Sequence, residues 1–135
     1  MTYALDTNII IRYLRDNELV KQNIREAILE KQELIIPRAV DYEMCRGFRC
    51  TPAPKKSKNY NDFAYNGYCD VVEVCPRTWQ KAEEVYAELY SKGFTVGEID
   101  ILIAAFCLIN DYTLVTNNTK DFENISSLRL VDWTK

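Results

Sequence analysis

Residues 98–122 read EIDILIAAFCLINDYTLVTNNTKDF, and this stretch decides the fold that the sequence predicts. Its first half, residues 99–109, is typical of a mostly apolar helix with one carboxylate near its start. Its second half predicts a short strand over residues 113–116 and a polar turn over residues 117–121. A helix that leads directly into a strand is the repeating unit of α/β proteins.

The same alternation extends to both ends of the chain. A short apolar strand opens the sequence, and the polar step Asp6-Thr7-Asn8 separates it from further apolar residues up to Ile11. Further strands are predicted over 34–36, 71–74 and 128–133, and helices over 18–31, from Pro37 through Gly47, and over 76–92. Residues 51–61 predict an exposed connection or a helix start. The 135 residues fit one domain, residues 1–135, with a mainly parallel sheet.

The composition excludes several kinds of chemistry. The chain has no histidine, so Ser-His-Asp catalysis, Cys-His catalysis and histidine metal sites are excluded. Its five cysteines include no close C-x-x-C pair, which argues against a disulfide framework and a zinc ribbon. No apolar run approaches the roughly 20 residues that span a bilayer, and the first residues do not resemble a secretory signal. We therefore expect a cytoplasmic protein.

Four acidic residues are candidates for a site at one edge of the sheet: Asp6, Glu43, Asp100 and Asp121. Each also has a purely structural explanation. Asp6 and Asp121 could cap helices, and Asp100 could favour the positive end of a helix dipole. Glu43 could be an ordinary solvated surface acid. For each acid taken alone, the sequence does not decide between a structural role and a role in a site.

Taken together, the four acids indicate a cation site. They follow strands or lie on helices whose ends meet at one edge of a parallel sheet, where ligands bind in such folds. Carboxylate oxygens suit Mg²⁺ or Mn²⁺. Like charges that lie close together raise one another's pKa unless a cation neutralises them.

The order and spacing of these motifs resemble those of PIN domains, and more narrowly those of the VapC toxins of bacterial toxin–antitoxin pairs. The resemblance spans nearly the whole chain. It is carried by residues 5–8 (LDTN), by residues 37–43, by residues 98–105 (EIDILIAA), by residues 116–122 (TNNTKDF) and by the ending 128–133 (LRLVDW).

This resemblance implies a three-layer α/β/α sandwich and a Mg²⁺-dependent endoribonuclease acting on structured RNA such as tRNA. It also implies a homodimer with a small antitoxin bound over the active site. Carried over by position, Asp6 and Asp100 match the principal metal ligands. The remaining matches are Glu43 and Asp121 as further acids, and Thr7, Asn8, Thr116 and Asn118 as supporting polar residues.

One departure concerns Asn118, because many PIN domains have an aspartate at that place. An amide oxygen is neutral and a weaker metal ligand than a carboxylate. We therefore expect Asp121, in the same turn, to complete the acidic set while Asn118 supports the turn through hydrogen bonds.

Other functions are compatible with parts of the pattern. A free-standing RNA-processing nuclease or a flap DNase would use the same acids, although no region for clamping a duplex is visible. A non-catalytic binding module would keep the fold but would be expected to lose an essential acid. A Mg²⁺-dependent phosphatase typically has Asp-x-Asp, whereas Asp6 is followed by Thr7-Asn8.

Two surfaces are candidates for binding partners. The net charge of −3 means that RNA contact needs a local basic patch or a metal ion. Such a patch, or simply a solvated loop, is formed by Arg46, Arg49, Lys55, Lys56 and Lys58. Aromatic residues that could bind a protein partner, or fill the core instead, are Tyr60, Phe63, Tyr65 and Tyr68.

Overall fold

We describe the protein from a computed structural model that covers residues 1–135. The strands are β1 (Thr2–Leu5), β2 (Glu33–Pro37), β3 (Asp70–Val72), β4 (Thr113–Val115) and β5 (Leu130–Val131). The helices are α1 (Thr7–Leu14), α2 (Glu18–Leu29), α3 (Arg38–Cys50), α4 (Pro54–Tyr65), α5 (Pro76–Lys92), α6 (Glu98–Asn110) and α7 (Thr119–Phe122).

The five strands form one parallel sheet in the order β3-β2-β1-β4-β5, and helices flank it in a three-layer α/β/α arrangement. The chain winds from β1 through β2 to β3 and then crosses to β4 on the other side of β1. This reversal places β1 and β4 side by side, with Leu5 opposite Val115. Ligands in open α/β sheets bind beyond the carboxyl ends of the strands at such a switch point. Asp6 and Thr116 are the residues that follow these two strands.

Helix α1 begins at Thr7, where the sequence predicted only an interrupted apolar segment. The run of isoleucines is β-branched and by itself favours a strand. Asp6 opposes that preference, because its carboxylate accepts a hydrogen bond from the Thr7 amide (2.8 Å) and caps the helix. Ile9 and Ile10 are fully buried, so packing against the core favours the helical arrangement.

Residues 51–53 form a short, largely exposed connection and α4 begins at Pro54, so residues 51–61 contain both predicted alternatives. Two boundaries differ from the prediction. Pro37 ends β2 and does not form the first turn of α3. The last strand contains only Leu130–Val131. Helices α2, α5 and α6 and strands β2 to β4 lie close to their predicted positions.

The core lies between the sheet and the helices. Leu5, Ile36 and Leu114 from the sheet pack with Ile103 and Phe106 of α6, and all five side chains are fully buried. Helix α6 is apolar around most of its circumference, as expected of a helix buried on several sides. None of the helices combines the length and the apolar character needed to cross a bilayer.

Candidate functional site

The buried carboxylate of Asp6 is the best-anchored group at the carboxyl end of β1. Its Oδ1 accepts from the Thr7 amide (2.8 Å), and its Oδ2 accepts from the Thr116 hydroxyl (2.8 Å) and from the Asn8 side-chain amide (3.3 Å). Burial raises the pKa of Asp6, and the bonds from Thr116 and Thr7 oppose this rise. Asp6 is therefore both the helix cap and part of the predicted cluster.

Thr7 connects Asp6 to a second acid. While its backbone amide bonds to Asp6, its hydroxyl donates to Oε1 of Glu43 on α3 (2.7 Å). Glu43 is half-buried, so the alternative of a freely solvated surface acid does not hold. Its other oxygen, Oε2, accepts no hydrogen bond from the protein.

The turn after β4 extends the network to the last acid. The Thr116 hydroxyl accepts from the Asn118 amide (3.0 Å), and Nδ2 of Asn118 donates to Oδ2 of Asp121 (2.5 Å). Asn8 also accepts from the backbone amide of Asn117 (3.3 Å), a contact that the sequence did not predict. Every residue except proline has a backbone N–H, so no sequence signal could have identified this contact.

Asp121 is not a helix cap. It lies inside α7, whose N-cap is Asn118, and no side chain caps that helix. The capping alternative weighed from the sequence is therefore wrong. The exposed carboxylate of Asp121 instead bonds to the Asn118 side chain, as the supporting role of Asn118 required.

Asp100 lies in the first turn of α6, half-buried, and no hydrogen bond satisfies its carboxylate. Burial and the charges of Asp6, Glu43 and Asp121 raise the pKa of Asp100 to about 6. The three neighbouring charges are the other three predicted acids. The fold therefore brings all four within electrostatic reach, and we call this set the acidic centre.

The acidic centre is chemically suited to a hard cation. Its four side chains all offer carboxylate oxygens, and a positive ion would relieve the repulsion that raises the pKa of Asp100. No group of three or more Cys, Asp or Glu side chains is arranged so that it could hold an ion by itself. An ion here would take further ligands from water or phosphate, as Mg²⁺ commonly does.

The basic segment predicted from the sequence is divided in the structure. Lys58 bonds to Asp62 (2.9 Å), and the Arg46 guanidinium lies over the Tyr42 ring, 5.0 Å from its centre. Lys56 lines a groove that also contains Glu43, and so does Arg15, which the sequence had not singled out. A single arginine after a helix gives no indication in the sequence that it lies beside Glu43 in the fold.

The aromatic residues near α4 are mostly structural. Tyr60 and Phe63 are buried in the core, so their predicted use as a partner surface was wrong. Tyr65 donates a hydrogen bond to buried Asp41 (3.0 Å), and Tyr68 is exposed. The apolar periodicity of a helix does not distinguish a face that packs inward from a face that binds a partner.

An open parallel sheet with four carboxylates beyond its switch point defines an α/β domain with an acidic, oxygen-lined site. The PIN domain family model matches residues 3–128, and the chain belongs to that family.

Several relatives match the chain from end to end. Ribonuclease VapC2 of Rickettsia felis is 29% identical over 136 residues and covers 100% of both chains. The tRNA(fMet)-specific endonuclease VapC of Salmonella typhimurium is 29% identical and covers 98% of both. In a crystal structure of VapBC2 from Rickettsia felis bound to a promoter DNA fragment, one chain superposes with a TM-score of 0.88 at 25% identity. This superposition covers 98% of the present chain and 99% of that chain.

Proposed function

We propose that this protein is a divalent-metal-dependent endoribonuclease and the toxin of a VapBC-type toxin–antitoxin pair. The observation that carries the proposal is the acidic centre of Asp6, Glu43, Asp100 and Asp121 at the switch point of a PIN domain. Full-length similarity to proteins named ribonuclease and tRNA endonuclease supports RNA as the substrate.

The proposed reaction is hydrolysis of an RNA phosphodiester. Asp6 and Asp100 would hold Mg²⁺ or Mn²⁺, with Glu43 and Asp121 completing the set. When bound, the ion supplies Lewis acidity and neutralises charge that develops on the phosphate. Oε2 of Glu43 has no protein partner and can take the proton of the attacking water. The bond from Thr7 fixes the other oxygen of Glu43 and thereby orients the carboxylate.

The proposed partners follow from the relatives. The tRNA endonuclease of Salmonella supports a structured RNA such as tRNA as substrate. The VapBC2 complex supports a small antitoxin as protein partner. We further propose a homodimer, for which exposed Trp79, Tyr86 and Tyr90 on α5 offer an apolar face. Five free cysteines support a reducing, cytoplasmic location.

The proposal is tested by RNA cleavage with purified protein. Cleavage of tRNA should require Mg²⁺ or Mn²⁺ and stop with EDTA. Asp6→Asn and Asp100→Asn should each lower kcat/KM at least about a hundredfold, or about 2.7 kcal/mol of transition-state stabilisation. Glu98→Gln is the matched control, because Glu98 shares the first turn of α6 with Asp100 but does not contribute to the acidic centre. Full activity in EDTA would contradict the proposal.

The toxin assignment needs its own test. Expression of the chain alone should arrest bacterial growth, and Asp100→Asn should abolish the arrest. Co-expression of a small protein encoded in the neighbouring reading frame should restore growth and yield a complex that copurifies. Unimpaired growth with soluble, RNA-cleaving protein would instead favour a free-standing RNA-processing enzyme.

A further inference from the structure

A surface groove opens beside the acidic centre, between α1, α3 and the start of α4, and we call it the α1–α3 groove. Thr7 and Glu43 of the network described above line it. Its volume is about 270 Å³, near the lower end of the roughly 300–1,000 Å³ of small-ligand sites. A space of this size holds a fragment such as one nucleotide rather than a folded segment.

The groove leads away from the acidic centre along both helices. Along α1 its lining extends from Thr7 to Arg15, the residue just after the helix, and along α3 from Glu43 to Thr51, again just after the helix. Each span covers eight residue-to-residue steps, or roughly 12 Å at the rise of an α-helix. An RNA strand whose phosphate lay at the acidic centre could therefore continue into the groove.

The groove combines an apolar floor with unpaired cations. Ile11, Met44 and Phe48 supply apolar surface. Arg15 and Lys56 line the same space, and neither forms an ion pair with an acidic side chain. In a chain with a net charge of −3, two uncompensated cations beside an acidic cluster favour an anionic ligand.

Gly47 is the independent observation that points to a ligand. It lies inside α3 and lines the groove, although glycine weakens a helix interior relative to alanine. Its φ is not positive, and an added Cβ would meet no atom within 4 Å. Neither the backbone nor the packing of the chain requires glycine at this position. Because Gly47 lines the groove and an added Cβ lies in open space, a larger side chain here would occupy space that a ligand could use.

We propose that the α1–α3 groove binds the RNA nucleotide adjacent to the cleaved phosphodiester. Its base rests on the apolar floor, its phosphate lies between Arg15 and Lys56, and Gly47 keeps the groove open. This inference rests on the proposed ribonuclease activity and adds the residues that position the substrate. Stacking of bases on apolar surfaces and salt-dependent phosphate contacts are the usual means of holding a single strand.

RNA fits the groove better than a protein segment does. Glu43 of the acidic centre lines the groove, so an RNA strand bound for cleavage passes beside it. Both cations stand free for phosphate, and the apolar floor is small.

Binding is measured first, independently of cleavage. A fluorescein-labelled single-stranded RNA hexanucleotide is titrated into Asp100→Asn protein, and all groove variants are made in this background. Arg15→Ala and Lys56→Ala should each weaken binding about fivefold or more and each lower the salt slope by about one. The controls are Arg12→Ala on α1 and Lys58→Ala on α4. Both cations lie outside the groove and Lys58 is paired with Asp62, so both variants should leave affinity unchanged.

Two substitutions at Gly47 test stability and RNA binding separately. Gly47→Ala should raise Tm by roughly 1–3 °C, because alanine favours the helix and meets no neighbour. Gly47→Leu should weaken RNA binding about tenfold while the protein stays folded. In the otherwise wild-type enzyme, Gly47→Leu should raise KM more than it lowers kcat. The Gly47 amide resonance should shift when RNA is added.

The outcomes separate this inference from the proposed function. Binding of the hexanucleotide in the groove without cleavage of any RNA would contradict the ribonuclease and support the groove assignment. Cleavage at wild-type KM by folded Gly47→Leu, Arg15→Ala and Lys56→Ala variants would overturn the groove assignment alone. Unchanged RNA binding with weakened binding of a copurifying protein would identify a protein-docking groove and would also overturn the assignment.

Discussion

Asp100 differs from the other members of the acidic centre because its carboxylate has no hydrogen-bond partner. Burial and three neighbouring acids raise its pKa from an ordinary 3.8 to about 6. Without a metal ion the folded protein therefore binds this proton more tightly than the unfolded chain does. The stabilisation from this proton is complete below about pH 4 and is lost as the pH rises through about 6.

Asp100→Asn should consequently stabilise the metal-free protein at neutral pH. We expect a gain of about 1 kcal/mol at about pH 7.5, less than the full shift would give, because the side chain is only half-buried. At about pH 4 the variant and the wild type should unfold at the same urea concentration. The measurement is urea unfolding in EDTA as a function of pH.

The addition of Mg²⁺ supplies the control for this prediction. The wild type should gain stability at neutral pH, since an ion bound to the folded state stabilises it, and Asp100→Asn should gain much less. If Asp100→Asn were less stable than the wild type at every pH, the Asp100 carboxylate would stabilise the fold and not destabilise it through charge repulsion.

Asp121 offers a second test on a single residue. Because it is exposed and caps no helix, Asp121→Asn should leave the unfolding midpoint unchanged. If its charge completes the acidic centre, the cleavage rate should fall at least about tenfold, or about 1.4 kcal/mol of barrier. The measurement is single-turnover cleavage at saturating Mg²⁺. A wild-type rate would reduce the site to three acids.

At the scale of helices and strands, the sequence predicted the elements with a regular apolar pattern. It did not predict those whose conformation depends on tertiary contacts. The periodicity of α5 and the apolar length of α6 are local properties, so both helices could be predicted. The helical state of Ile9 and Ile10 depends on a cap and on burial, which a β-branched run does not reveal. The same limit applies to Asp41, which resembles an ordinary surface acid in the sequence.

Asp41 in fact connects α3 to α4 from a buried position. Its carboxylate accepts from the hydroxyls of Tyr60 (2.6 Å) and Tyr65 (3.0 Å) on α4 and from Arg38 (2.8 Å) on α3. Arg38 also bonds to Glu73, just after β3 (2.7 Å). Burial and the bond to Asp41 raise the pKa of the Tyr60 hydroxyl, so this group stays a donor. This network fixes α4 against the rest of the domain.

Removal of one hydroxyl measures the contribution of that network. Tyr60→Phe should cost about 1–2 kcal/mol, because a buried bond to a charged acceptor is lost without a substitute. Tyr65→Phe is the matched control and should cost less, because its side chain is half-exposed and water can replace the hydroxyl. Urea unfolding gives both values. Equal costs would mean that burial does not determine the strength of these bonds.

For the whole molecule, the acidic centre could be predicted from the sequence, whereas the surface used for association could not. The order of the strands brought residues from positions 6, 43, 100 and 121 together, and the motif order indicated this before any coordinates. The order of the motifs gave no information about which aromatic side chains are exposed. The sequence favoured aromatics near α4 for association, yet the large exposed rings lie mainly on α5 and just after it.

The exposed face of α5 should form the homodimer interface. Trp79 and Tyr86 are 55% and 50% exposed, and Tyr86 stacks on Tyr90 with ring centres 6.5 Å apart. Contiguous exposed aromatics of this kind mark association surfaces, and a twofold axis would place the same rings of a second copy against them.

Trp79→Glu combined with Tyr86→Glu should convert a dimer to a monomer at micromolar concentration, as measured by light scattering, because the two glutamates would place buried charge in an apolar contact. Tyr68→Glu, at a similarly exposed aromatic position beyond α4, should leave the dimer intact. A wild-type monomer, or dissociation caused by Tyr68→Glu alone, would contradict the assignment of the interface to α5.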